Sequence, residues 1–286
     1  MTQTKTQTSV KPYELGDLGY VNLIDYMGSD LDIVETARVT TRSKTDSDPK
    51  ATEKLIRYLM MHEHSSPFEF AVIHLEVQAP IFVARQWFRH RSFSYNEISG
   101  RYSKMDLGIY RPQYWRGQSK SNRQQSEGKV EYSPLVFYNN TGLTGKAEAA
   151  ANEEYKARLT KGVAREQART CLPLSTITKF RVIGNLRNWY HFLHLRMAPE
   201  AQREIRMYAT AISDLLFSLF PMSTRAFKDY VLNAVRLSGP EVGALQNGSM
   251  LVTDSKSEKE EWYRKLKILG RDTPTVSKRV PAEGAD

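Results

Sequence analysis

An α+β fold, with one twisted antiparallel sheet covered by helices, is what this 286-residue sequence predicts. Three observations carry that prediction. Residues 70–77 alternate, with Ile73, Leu75 and Val77 pointing one way and His74 and Glu76 the other, which is the period of a half-buried strand. Residues 176–183 are rich in β-branched and aromatic side chains and read as a strand returning to the same sheet. Residues 199–220 place Ile205, Ala209, Ile212, Leu215, Leu216 and Leu219 at helical spacing, the apolar stripe of a long amphipathic helix.

The remaining elements follow in chain order. Residues 30–40 form a helix with an acidic start and Leu31, Ile33, Val34 and Ala37 inward. A polar turn at 46–50 leads into a second helix at 51–61, and His64-Ser65-Ser66-Pro67 is a turn before the strand. Ala79-Pro80 ends that strand, residues 81–88 form a short helix, and 92–101 are a polar loop. Residues 147–159 and 164–172 are helical, with Pro173 stopping the second. Asn185 is a good N-cap for a helix over 185–196. Asn185, Trp189, Phe192 and Arg196 share one side of it, and Arg187, His191 and His194 the other. A helix with polar groups on both faces suits a position between ligand sites or at a subunit interface. Pro221 breaks the long helix, 224–235 is helical again, and 257–269 forms a charged helix.

Length places the whole chain, 1–286, within reach of a single catalytic domain. Around it lie a flexible arm at 1–14, a polar surface insertion at 113–131 and a polar C-terminal extension at 240–286. No apolar run approaches the ~20 residues of a membrane helix. The start, MTQTKTQTSVKPYE, lacks the apolar core of a signal peptide, and a single cysteine, Cys171, excludes an internal disulfide framework. A cytoplasmic protein without a membrane partner is expected.

The balance of 41 Lys+Arg against 32 Asp+Glu, a net charge of +9, favours anionic partners. Nucleotides, phosphates, folates and nucleic acid all qualify. No zinc-finger spacing or RNA-binding signature selects the last. His62 and His64 lack metal-ligand spacing, so no metal is expected. No GxGxxG is present, so any flavin is not held by a Rossmann fingerprint.

The most informative stretch is 85–103, RQWFRHRSFSYNEISGRYS. It holds Arg85, Arg89, Arg91 and Arg101, interleaved with His90, Asn96, Glu97, Ser99, Gly100 and aromatic rings. Like charges repel, and each guanidinium requires an anion or carbonyl opposite. A multiply anionic ligand satisfies them; so does a solvated basic loop, or a set of carboxylates from elsewhere in the chain.

The run RQWFRHRxxSxNExSGRYS, in which Arg89-His90-Arg91 is followed after seven residues by Ser99, resembles the signature of the flavin-dependent thymidylate synthases. The similarity extends to ARVT at 37–40, HSSPFE at 64–69 and NLRNWYHFLHLR at 185–196. It implies that family's fold and a homotetramer whose active sites are built from several subunits. It implies methylation of dUMP to dTMP, with methylenetetrahydrofolate giving the carbon and NADPH reducing a bound FAD that supplies the final hydride. Thr40, His64, Ser66, Arg89, His90, Arg91, Asn96, Glu97, Asn185, Arg187 and His191 then fall at flavin-binding positions; many relatives carry Asn where this chain has His191. Gln86, Arg89, Glu97, Ile98, Ser99, Gly100, Arg101, Arg169 and Arg196 fall at the nucleotide. Arg196 is the expected catalytic residue, stabilising negative charge on the uracil ring.

Two rivals remain on the sequence. One is a basic nucleic-acid-binding protein without enzymatic activity, using the same cations and rings. The other is a cysteine mechanism through Cys171. An apolar neighbourhood and a helix C-terminus both disfavour its thiolate.

Overall fold

The computed structural model describes residues 11–42, 48–120, 125–131, 136–139 and 142–271. The arm expected at 1–14 lies mostly outside these residues, as do part of the turn at 46–50 and the terminal residues 272–286. The chain divides into two compact units, 1–231 and 232–286.

In the first unit β1 (Tyr13–Glu14) and β2 (Tyr20–Met27) precede α1 (Asp30–Val39) and α2 (Pro49–Met61). A 3-10 turn (Ser66–Phe70) then leads into β3 (Val72–Pro80), α3 (Ile81–Trp87) and β4 (Ser94–Glu97). Next come two hairpins, β5 (Trp115–Gln118) with β6 (Ser126–Val130), and β7 (Val136–Asn139) with β8 (Gly142–Gly145). They are followed by α4 (Lys146–Thr160), α5 (Arg165–Ala168) and a 3-10 turn (Arg169–Cys171). The unit closes with β9 (Ile177–Asn185), α6 (Leu186–Arg196), α7 (Arg203–Leu219) and α8 (Pro221–Phe227).

The main sheet runs β1-β2-β3-β9-β4, and every pairing is antiparallel. Leu75 faces Val182 and Val77 faces Phe180, so the two strands legible in the sequence are neighbours and share a buried face. α3, α6 and α7 cover that face. Trp87 stacks on Phe192 at 4.8 Å and meets Phe180 and Tyr208 edge-on at 5.3 and 5.7 Å. Burying a side chain such as Phe192 contributes about 2–3 kcal/mol, so this aromatic knot fixes how α3 and α6 lie against each other.

Three expectations need correction. The stretch read as a polar loop contains β4: SYNE lacks an apolar alternation, and only its pairing with β9 makes it a strand. The long helix begins at Arg203, with Gln202 as its N-cap, because residues 197–202 form the turn out of α6. In α1, Leu31 is exposed and Asp30 is buried instead. The Asp30 carboxylate accepts hydrogen bonds from the Met222 and Ser223 amides (2.8 and 3.0 Å) and the Ser223 hydroxyl (2.6 Å), so it caps α8 and its burial is compensated.

Residues 113–131, read as a polar insertion, contain the β5–β6 hairpin. In the second unit α9 (Gly239–Gln246) and α10 (Lys256–Ile268) enclose a small core of Ala244, Leu251, Trp262 and Leu266. A capping box at Ser238 and Glu241 starts α9, and Lys265 donates to both oxygens of the Glu241 carboxylate (2.9 and 2.8 Å). No helix among the described residues is long and apolar enough to cross a membrane.

Candidate functional site

The residues singled out from sequence gather in three groups. The first lies where α3 and α6 end. Beyond α3 the chain turns back, with the His90 amide donating to the Trp87 carbonyl (2.9 Å). The Tyr95 hydroxyl lies 3.0 Å from the carbonyl oxygens of both Trp87 and His90 and closes this turn. Phe93 then packs over Gly184, where an added Cβ would come within 2.1 Å of its ring. The turn thus delivers His90, 6% exposed, to the last turn of α6.

There Arg196 Nε donates to His90 Nε2 at 2.9 Å, and Arg196 Nη2 donates to the Gln86 carbonyl at 3.1 Å. His90 must be neutral to accept at Nε2. Burial, and then the positive charge of Arg196 and His191, pushes its pKa down to about 4, so it is neutral near pH 7. Burial also lowers the Arg196 pKa from its ordinary value, though a guanidinium keeps its proton at neutral pH. The result is a fixed, half-buried cation. The Gln86 side-chain amide in turn donates to Gln202 Oε1.

The second group follows β4. Glu97 accepts from the buried Thr178 hydroxyl at 2.6 Å, which ties the strand end to β9. The Ile98 amide donates to the Lys179 carbonyl (2.8 Å), and the chain then folds tightly at Ser99, whose carbonyl accepts from Tyr102 and Ser103 amides. Gly100 is buried against the Arg169 side chain; a Cβ there would lie 3.0 Å from Arg169 Cδ and 3.1 Å from Met105 Cγ. Ser99, Gly100, Arg101 and Arg169 are therefore together. Arg101 pairs loosely with Glu166 at 3.4 Å, both more than half exposed, which contributes little to stability.

The third group sits where α1, the Ser66–Phe70 turn and α6 pack. Arg187 donates to Glu69, so the HSSPFE segment holds the start of α6. Asn185 caps α6 as expected, accepting from the Asn188 amide at 2.9 Å, and Asn188 donates to the Ser92 carbonyl at 3.1 Å. Thr40, His64, Ser66 and His191 are exposed. Asn96 is exposed on the sheet's other face, opposite Arg181.

Arg85, Arg89 and Arg91 are exposed, and their side chains meet no hydrogen-bond or ion-pair partner among the described residues. A cavity of about 1070 Å³ opens by Lys104, Arg111, Tyr155, Lys156 and Thr176, but no predicted site residue lines it. Cys171 lies apart, against Met105, Tyr155 and Ala168, its thiol directed at the Ala168 and Ala151 carbonyls (3.3 and 3.4 Å).

Sequence reasoning missed Glu69, Tyr95, Gln202, Arg116 and Glu204. Glu204 left a signal, a lone carboxylate on the apolar stripe of α7. It is 3% exposed and accepts two hydrogen bonds from Arg116 (2.8 and 3.0 Å) and one from the Tyr110 hydroxyl (3.2 Å). Burial alone would raise its pKa, but the bonds from Arg116 outweigh that and hold it below the ordinary carboxylate range.

With this geometry in view, comparison with known proteins is informative. Residues 22–222 match the family described as thymidylate synthase complementing protein. A flavin-dependent thymidylate synthase of Thermus thermophilus is 47% identical over 230 residues, 80% of this chain and 83% of that protein. One from Dictyostelium discoideum is 38% identical over 269 residues, 90% of this chain and 87% of the other. The crystal structure of a UMP/dUMP methylase PolB from Streptomyces cacaoi, bound with 5-Br dUMP, superposes with a TM-score of 0.62 at 32% identity. That match covers 74% of this chain and 95% of that one.

Proposed function

As this chain belongs to the flavin-dependent thymidylate synthase family, we propose that it converts dUMP to dTMP as a cytoplasmic enzyme. Methylenetetrahydrofolate is the carbon donor and NADPH the reductant. The family assignment, rather than the charge, selects this reading over nucleic-acid binding.

The observation that carries it is the pairing of Arg196 with a neutral His90. Two of the five guanidinium N–H groups are spent on His90 and Gln86, which fix the plane of the fork; the others remain to face the uracil ring. A unit charge about 4 Å away at an effective dielectric of about 20 is worth roughly 4 kcal/mol. Such a charge stabilises the negative charge that develops on the ring as its carbon 5 bonds the carbon donor. His90 acts through Arg196 by staying neutral, so that it accepts rather than repels.

The nucleotide is held by Gln86, Arg89, Glu97, Ile98, Ser99, Gly100, Arg101 and Arg169. Ser99 and Gly100 give a hydroxyl and an amide, and Arg101 and Arg169 give charge for the phosphate. The donor set fits FAD as well: Arg89 and Arg91 are open guanidinium groups suited to a diphosphate, supported by Thr40, His64, Ser66, Asn96, Asn185, Arg187 and His191. Bound FAD, once reduced, supplies the hydride that completes the methyl group.

The three groups occupy different parts of one chain, which supports a homotetramer whose sites are completed between subunits. The purified protein should show a flavin absorption spectrum and form dTMP from dUMP with methylenetetrahydrofolate and NADPH. A colourless protein that takes up no FAD would overturn the reading. Light scattering during flavin titration tests the assembly: a stable monomer that binds FAD fully would contradict shared sites.

A further inference from the structure

Gln86 is anchored at both ends. Its carbonyl accepts from Arg196, and its side-chain Nε2 donates to Gln202 Oε1. Gln202 is the N-cap of α7, and its own carbonyl accepts from the Arg206 amide at 3.1 Å. The next two residues are pinned from outside the site. Arg203 donates to the Tyr114 hydroxyl and lies 5.1 Å from that ring's centroid. Glu204 is buried in its contacts with Arg116 and Tyr110. The segment from Tyr110 to Arg116 therefore holds Arg203 and Glu204, the two residues that follow Gln202.

We propose that Gln202 fixes the orientation of the Gln86 carboxamide and thereby sets which pyrimidine edge the enzyme accepts. With Nε2 turned to Gln202, Gln86 Oε1 is left as an open acceptor. A uracil-type ring offers a donor, its N3–H. A cytosine-type ring offers a lone pair at the same atom and is repelled. A carboxamide free to flip would present either end and lose that preference. This inference rests on the reading that Gln86 contacts the nucleotide.

The test is calorimetric binding of dUMP and of dCMP to the FAD-loaded protein, with melting temperature and flavin spectrum followed in every variant. Gln202→Ala weakens dUMP about tenfold, the scale of immobilising one side chain, and narrows the dUMP-over-dCMP preference by at least as much. Gln202→Glu, which can only accept, recovers most of that loss. Gln202→Lys, which can only donate, is as poor as Gln202→Ala or poorer. Wild-type affinity and preference in the Ala and Lys variants overturn the proposal, as does Lys recovering as well as Glu. Gln86→Ala separates the two levels. If it weakens dUMP while the Gln202 variants do not, the Gln202 proposal alone fails; if it leaves dUMP binding unchanged, the nucleotide role of Gln86 fails with it.

Discussion

Arg196 and Arg169 are expected to touch the same nucleotide, yet they are built in opposite ways. Arg196 is half-buried on a helix, with Nε on a neutral histidine and Nη2 on a backbone carbonyl. Arg169 is exposed in a 3-10 turn and packs against Gly100, beside an Arg101 that pairs loosely with Glu166. The difference teaches what each task needs. Stabilising charge that develops on a ring requires a dipole or cation that does not reorganise, and fixing it costs burial. Gathering a phosphate requires accessible charge, and a solvated side chain that closes on the anion suffices.

The largest expected effect is at the fixed centre. Arg196→Ala should lower kcat about 10²–10³-fold while the flavin spectrum stays intact. Loss of flavin with normal nucleotide binding would reverse the assignment. Arg196→Lys should be nearly as poor, because a point charge cannot span His90 and the Gln86 carbonyl together. A fully active Arg196→Lys enzyme would erase the contrast between the two arginines.

At the open centre the loss should appear in KM. Arg169→Ala should raise the dUMP KM about 10–100-fold, as expected for a lost charge-assisted hydrogen bond, and Arg169→Lys should recover much of it. Were kcat to fall instead, with KM unmoved, Arg169 would belong to the chemistry rather than to the phosphate.

The buried centre also has a pH signature. The His90 pKa of about 4 lies below the ordinary 6.5, so between these values the unfolded chain binds a proton that the folded chain refuses. Stability attributable to His90 is complete above pH 6.5 and falls as pH drops toward 4, by up to about 3 kcal/mol. His90→Gln keeps an acceptor for Arg196 and removes the titration. Urea melts at pH 7 and pH 4.5 should show a smaller acid loss in that variant. An equal loss in both proteins would place the titration elsewhere.

The smallest effect is expected at Cys171. Its thiol lies in an apolar cluster with Met105, Tyr155 and Ala168, and not beside Arg196. Cys171→Ala should retain dTMP formation and lose about 1 kcal/mol of stability. Abolished turnover, with FAD and nucleotide still bound, would mean that a thiolate does the work assigned to Arg196.

Much of the frame was legible because it is local. Alternation at Ile73, Leu75 and Val77 marks β3, Asn185 caps α6 and Pro221 keeps α7 from running on. Each depends on neighbours within a few residues, where backbone sterics and side-chain period act directly. The 85–103 signature likewise gathers the candidate residue types in one stretch. The meeting of Arg196 with His90 is different, since 106 residues separate them. So is β4, whose sequence SYNE becomes a strand only beside β9. Glu204 on α7 pairs with Arg116, 88 residues away in a segment that composition marks as polar surface. Which chain segments adjoin is set by the register of the sheet and the packing of Trp87, Phe180 and Phe192. The sequence by itself determined the locally encoded elements and the chemical inventory. Only the tertiary structure decided that one arginine would be held by a neutral histidine while another stayed in water, because burial, and with it charge and orientation, exists only once distant segments close over a side chain.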